Sequence, residues 1–255
     1  MYKLGSVGIT SVSIAPLRAS GSDLSEQVSQ SIAGENVSLL EIGDGDWLKI
    51  KNLTDGYIGW SDRKQFVFNI EQTSIKCMLN HTMSIWTHEV SGTQIRLPAG
   101  ALLNLNKTGD YLLAGDVVRP MERNEPLGDK HVGISDAAML FLNAPYQWGG
   151  RTISGIDCSG LSQIAAALNG VVIPRDASQQ VKSGKGIDWD MRSKNDLAFF
   201  ENKQGSITHV GILTSMNTII HASGCVRIDK LTTDGIVHVK EKKISHKLNC
   251  IRRLD

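Results

Sequence analysis

The sequence predicts an α+β protein in three parts: small all-β domains over residues 1–65 and 66–125, then a larger domain over 126–255 that mixes helix and strand. Three observations carry this. The chain up to residue 125 falls into short, partly alternating apolar runs broken by turn residues, a pattern of small barrels or sandwiches. After Cys158 the apolar residues recur at Leu161, Ile164, Ala165 and Leu168, the spacing that lines one face of a helix, with Gly170 as its stop. The run SITHVGILTSMNTIIHASG then holds two strand-like segments, Ile207 to Leu213 and Thr218 to His221, around a polar turn at Ser215 to Asn217.

In chain order, the N-terminal MYKLGSVGITSVSIAPLRAS has one early lysine and an apolar stretch interrupted by Gly, Ser and Thr, unlike a secretory leader. No later run approaches the roughly 20 apolar residues of a membrane span. The expectation is a cytoplasmic protein. Strands are expected at Val37 to Ile42, Trp47 to Leu53 and Gly56 to Ser61, separated by turn signals at Gly43 to Gly45 and Asp55-Gly56. LPAGALLNLNKTGDYLLAGDVVRP echoes that spacing around a turn at Thr108 to Asp110 and reads as a degraded second copy, with a plain structural spacer as the other reading. MERNEPLGD, Met121 to Asp129, suits a connector. Ser135 can cap a short helix through Leu142, ended by Pro145. The tail from Asp234 to Asp255 reads as a closing strand without chemistry of its own.

Charge excludes some partners: 27 basic residues against 26 acidic give a net charge of +1, so nothing marks the chain for nucleic acid or an anionic membrane. The four cysteines, Cys77, Cys158, Cys225 and Cys250, form no C-x-x-C pair and no disulfide framework. Cys158 stands where a helix begins, and there unpaired N–H groups and the dipole would favour a thiolate and lower its pKa. A buried structural cysteine is the competing reading. In an antiparallel hairpin His209 and His221 come within a residue or two of facing each other, so thiol, histidine base and a second polar residue to orient that histidine make a nucleophile site. Cys158, His209, His221 and Cys225 are also zinc-ligand types, but their spacing matches no common zinc module, and neither metal nor organic cofactor is expected.

Four stretches carry a family resemblance. YQWGG at Tyr146 to Gly150, DCSGL at Asp157 to Leu161, HVGI at His209 to Ile212 and IHAS at Ile220 to Ser223 stand in an order that resembles the NlpC family of bacterial cell-wall peptidases. LAFF at Leu197 to Phe200 matches the strand that precedes the family's histidine. The resemblance spans the last half of the chain and implies a papain-like fold, with Cys158 as nucleophile, His209 as proton carrier and His221 holding the imidazole. Backbone N–H groups at the helix start, with the Tyr146 hydroxyl, would meet the oxyanion. VVIPRDASQQV also resembles the family, where its Arg175, Asp176 and Gln179 line the substrate cleft; a local surface ion pair between Arg175 and Asp176 is the other reading. Ahead of this domain, GENVSLLEIGDGDWLKIKNLTDGYIGWS resembles bacterial SH3-like domains.

This layout resembles enzymes that cut the γ-D-glutamyl to L-diamino-acid bond of murein stem peptides with a free N-terminal L-Ala in cell-wall peptide recycling; the chain is expected to act as a monomer. Glu26 and Tyr57 would join Asp157 and Ser159 around the free amine. A secreted hydrolase of intact peptidoglycan and an inactive peptide-binding module are the alternatives; the intact set Cys158, His209 and His221 speaks against the second.

Overall fold

The computed structural model describes residues 3–70, 76–121, 133–238 and 241–254. The chain divides into two compact units, Met1–Lys130 and His131–Asp255. Beyond Met121, the expected connector lies outside the described residues. No helix among those residues is long and apolar enough to cross a membrane.

The first unit opens with β1 (Val7–Thr10), β2 (Ile14–Arg18), β3 (Gln27–Ile32), β4 (Asn36–Ile42), β5 (Trp47–Asn52), β6 (Ile58–Asp62) and β7 (Phe66–Phe68). They form one antiparallel sheet in the order β3-β2-β6-β5-β4-β1-β7. Alternation decides which face is inside: Val37 and Leu39 on β4 and Leu48 and Ile50 on β5 bury into one cluster with Ala15 and Leu17. The GE ahead of β4 has a structural reason. Gly34 takes φ +78, which only glycine adopts without strain, and a side chain there would collide with the Leu102 carbonyl. Glu35 is buried and accepts from the Ile32 N–H at 2.8 Å and the Asn52 amide at 2.6 Å, so its carboxylate is hydrogen-bonded where it is hidden from water.

A second antiparallel sheet follows, made of β8 (Lys76–Met78), β9 (Met83–His88), β10 (Gln94–Pro98), β11 (Leu102–Leu105), β12 (Tyr111–Leu113) and β13 (Asp116–Pro120), ordered β10-β9-β13-β12-β11-β8. The turn expected at Thr108 to Asp110 is there. The Asn106 side-chain oxygen ties it by accepting from the N–H groups of Thr108 and Asp110. Trp86 is fully buried at its centre, with its indole N–H on Ser84 Oγ at 2.9 Å.

The second unit begins with α1 (Ile134–Met139). Its cap is Gly133 and not Ser135, which lies inside the helix with its N–H on Asn195 Oδ1 at 2.9 Å; the helix is also shorter than expected. The short hairpin β14 (Arg151–Thr152) and β15 (Gly155–Ile156) leads into α2 (Cys158–Ala167), and α3 (Ala177–Gln180) follows. The rest is antiparallel strand: β16 (Lys185–Ile187), β17 (Leu197–Glu201), β18 (Ile207–Ser215), β19 (Thr218–Ser223), β20 (Cys225–Thr232), β21 (Gly235–Val237) and β22 (Ile244–Arg253). Their order is β16-β22-β17-β18-β19-β20-β21, and β22 also pairs with β21. That last pairing closes β17 to β22 into a ring, filled by Ala198, Phe200, Leu213, Ile219, Leu231, Ile236 and Ile251.

Helix α2 packs on β18, β19 and α1. The single apolar stripe expected of it proves too narrow a description, because every residue from Cys158 to Ala166 is buried. Its polar side is hidden too, and the PRDASQQ segment meets part of it. Ser162 Oγ bonds Gln180 Oε1 at 2.7 Å, and the Gln180 amide donates to the carbonyls of Ser159 and Pro174 at 2.9 and 2.8 Å.

Candidate active site

Cys158 is the first residue of α2, and Asp157 is its cap, accepting from the Gly160 N–H at 2.7 Å. Two glycines make this start possible. Gly149 has φ +74 and sends its N–H to Asp157 Oδ2 at 2.8 Å, while any side chain on Gly160 would meet the Gly150 carbonyl. Arg175, fully buried, closes the arrangement from below. Its two terminal nitrogens reach Asp157 Oδ1 and Oδ2 at 3.0 and 2.6 Å, and the first also reaches Ser159 Oγ at 2.8 Å. Arg175 is therefore no surface group: it pairs with Asp157 in the interior, and Asp176 stands at the cap position of α3. With Ser159 Oγ added at 3.2 Å, the Asp157 carboxylate receives hydrogen bonds from five donor atoms, filling its acceptor capacity within the unit.

The thiol opens into a cavity of about 310 Å³ that Tyr146, Thr208, His209, Gly224 and His246 also line. Its ionisation corrects the sequence-based expectation. Burial, followed by the Asp157 carboxylate, pushes the Cys158 thiol up to about 11, outweighing the backbone N–H groups of Val210 and Ser159 that point at the sulfur. The helix start alone does not make a standing thiolate here. The nucleophile depends on a base to take its proton, and His209 shares its cavity. Burial holds His209 well below the usual imidazole range, so its ring is neutral and able to accept. Tyr146 is raised to about 12, again chiefly by burial, and keeps its phenolic proton as a donor.

The hairpin brings the two histidines together. Strands β18 and β19 pair Leu213 with Ile219 and Ile212 with Ile220, which leaves His209 diagonal to His221. The rings meet at 2.8 Å between His209 Nε2 and His221 Nδ1. Sequence reasoning stopped there, and the structure continues: His221 Nε2 lies 3.1 Å from Asp229 Oδ2 on β20, and Arg227 Nε donates to the same oxygen at 2.8 Å. His221 and Asp229 are both buried.

The tail that read as having no chemistry supplies a third imidazole. His246 on β22 stacks on His209 with centroids 4.0 Å apart and planes 22° apart, and burial lowers it to about 4, leaving a neutral ring against the base. The only hint in the sequence was a histidine in a strand that had to close somewhere. His209, His221 and His246 bring ring nitrogens within 4.8 Å of one another, a donor set of the kind that holds metal ions and a different one from the Cys158, His209, His221 and Cys225 considered in sequence. Both nitrogens of His221 are already in hydrogen bonds, and stacked rings hold their in-plane lone pairs in near-parallel planes, so the three do not converge on one point.

Glu26 and Tyr57 lie in the first unit. Glu26 is exposed just before β3, and Tyr57 is half-buried against the apolar cluster of the first sheet.

Comparison with known proteins agrees with these features. Residues 143–245 match the NlpC/P60 family, and residues 17–65 match the bacterial dipeptidyl-peptidase Sh3 domain. The chain is 30% identical to the gamma-D-glutamyl-L-lysine dipeptidyl-peptidase of Bacillus subtilis over 83% of this chain and 78% of that protein. The protein of the same name from Bacillus cereus is 25% identical over 82% of this chain and 72% of its own length. A crystal structure of an NlpC/P60 family protein from Bacillus cereus shares the fold, with a TM-score of 0.82 at 22% identity over 97% of this chain and 99% of that one. Identity on that scale with matched length, together with a buried cysteine opening a helix beside a histidine, shows that the chain belongs to the NlpC/P60 family of cysteine peptidases.

Proposed function

We propose that the chain is an endopeptidase that hydrolyses the γ-D-glutamyl to L-diamino-acid bond of murein stem peptides with a free N-terminal L-Ala. The observation that carries this reading is the Cys158 thiol at the head of α2, in one cavity with His209, whose far nitrogen is held by His221. The names of the two Bacillus relatives supply the bond. In this mechanism the thiol proton passes to His209 as the sulfur bonds to the γ-carbonyl carbon. The oxyanion is met by backbone N–H groups at the start of α2 and by the Tyr146 phenol. Collapse breaks the C–N bond, His209 returns the proton to the leaving amine, and water releases the acyl group from sulfur. Arg175, with Asp157 and Ser159, keeps the helix start in place beneath the reacting atoms.

With this reading go a papain-like second unit, two SH3-like barrels in the first over 1–65 and 66–125, and action as a monomer. The demand for a free amine is part of it, with Glu26 and Tyr57 contributing; Glu26→Gln and Tyr57→Phe measure their share. One experiment separates thiol from metal chemistry: release of lysine or diaminopimelate from a free γ-linked tripeptide, in the presence of EDTA and after iodoacetamide. Activity is expected to persist in the chelator and vanish on alkylation. Loss in EDTA with recovery on zinc addition would overturn the acyl-transfer mechanism.

A further inference from the structure

The ion pair beyond the second histidine, Asp229 with Arg227, has a consequence for the first. His221 uses both ring nitrogens, Nδ1 toward His209 Nε2 and Nε2 toward Asp229 Oδ2. A carboxylate only accepts, and the same Asp229 oxygen already takes the Arg227 Nε–H. The proton in the second contact therefore belongs to His221 Nε2. His221 is fully buried, and burial holds it on the neutral side against the raising effect of its Asp229 bond. A neutral imidazole has one N–H, so His221 Nδ1 is a bare acceptor. Its partner at 2.8 Å must then donate, which puts the single proton of neutral His209 on Nε2. His209 Nδ1 is left with a free lone pair, the form a base needs to take a thiol proton. With the His221 proton on Nδ1 instead, the logic would reverse: His209 Nε2 would accept, its own proton would sit on Nδ1, and it would have nothing with which to deprotonate Cys158.

We propose that Asp229 is a positioning residue that acts through His221 to fix the Nε2–H tautomer of His209. Arg227 holds Asp229 in turn, with its Nη1 on the Ser223 carbonyl at 2.5 Å, so the chain is anchored to the end of β19. The other ionisable groups around it are His246, stacked on His209, Cys158 in the shared cavity, and His238. The ring-nitrogen contacts of the pair are the one between His209 Nε2 and His221 Nδ1 and the one from His221 Nε2 to Asp229, so the direction of the chain is set from the Asp229 end. Two donors meet on one Asp229 oxygen, and an asparagine can place its carbonyl oxygen at that point; an alanine cannot.

The inference rests on Cys158 and His209 as nucleophile and base, and its test has a readout that does not depend on turnover. Nitrogen NMR of the ring-labelled protein at neutral pH should show His209 protonated on Nε2 and His221 on Nε2. In Asp229→Ala the His209 signal should move toward the Nδ1–H form, with kcat for the tripeptide falling about 100-fold, as when a general base is lost, while KM changes little. Asp229→Asn should restore most of both. Finding His209 as the Nδ1–H tautomer in the unaltered protein would overturn the proposal even if Asp229→Ala fails to fold. A folded Asp229→Ala with unaltered tautomers and kcat would do the same. Failure of Cys158 to react with iodoacetamide, with the expected tautomers present, would count against the nucleophile assignment alone.

Discussion

Cys158→Ala is expected to abolish tripeptide hydrolysis, a loss of at least about 10⁴-fold, with the fold intact. The size follows from the role: without the sulfur there is no acyl-enzyme, and what remains is binding and oxyanion contacts, which retain only a small part of such a site's rate. The intact fold follows from position. Cys158 begins a helix whose cap is Asp157 and whose start is bonded by Arg175 and Gln180, and none of these bonds uses the sulfur. Circular dichroism and thermal unfolding check the second half, and progress curves with the free tripeptide check the first. Measurable turnover in a folded Cys158→Ala protein would remove the nucleophile from the account.

N-acetylation of the substrate's L-Ala is expected to lower kcat/KM by at least about 100-fold, roughly 3 kcal/mol of transition-state binding. A buried carboxylate left facing a neutral amide instead of an ammonium loses a charge-assisted partner, and that loss is several times larger than the loss of an apolar contact. The five donors on Asp157 bear on this, because a carboxylate already engaged within its own unit has little left for a ligand. Within the second unit, therefore, Asp157 is not the carboxylate that would face the ammonium. Equal rates for the free and acetylated tripeptide would mean that no amine site exists.

Much of this molecule was legible in its sequence where the information is local. The strands around Val37, Trp47 and Ile58 stand out because apolar residues alternate between glycine turns, and helix α2 because its apolar spacing begins beside a capping aspartate. The facing of His209 and His221 was readable because one hairpin contains both. What escaped was set by pairings distant in the chain. Asp229 and Arg227 reach His221 only through the β19–β20 register, in which His221 sits opposite Arg227, and a strand reading CVRIDKLT does not announce that. His246 reaches His209 because β22 closes the ring against β17 and β21, a connection invisible in the tail itself. Arg175 was open to two readings, cleft lining or a surface pair with Asp176, and the sequence did not show Asp157 as a partner 18 positions earlier. The state of the thiol was misjudged for a related reason. The helix start favours the anion, but the depth of burial that opposes it is a property of the folded unit.

The most direct test of the proposed activity is mass spectrometry of the products formed from free stem peptides and, in parallel, from purified cell wall. The account predicts release of L-Ala–D-Glu together with the diamino acid or its C-terminal extension from free peptides, and little or nothing from intact wall. Soluble fragments from wall, with free peptides left uncut, would contradict it.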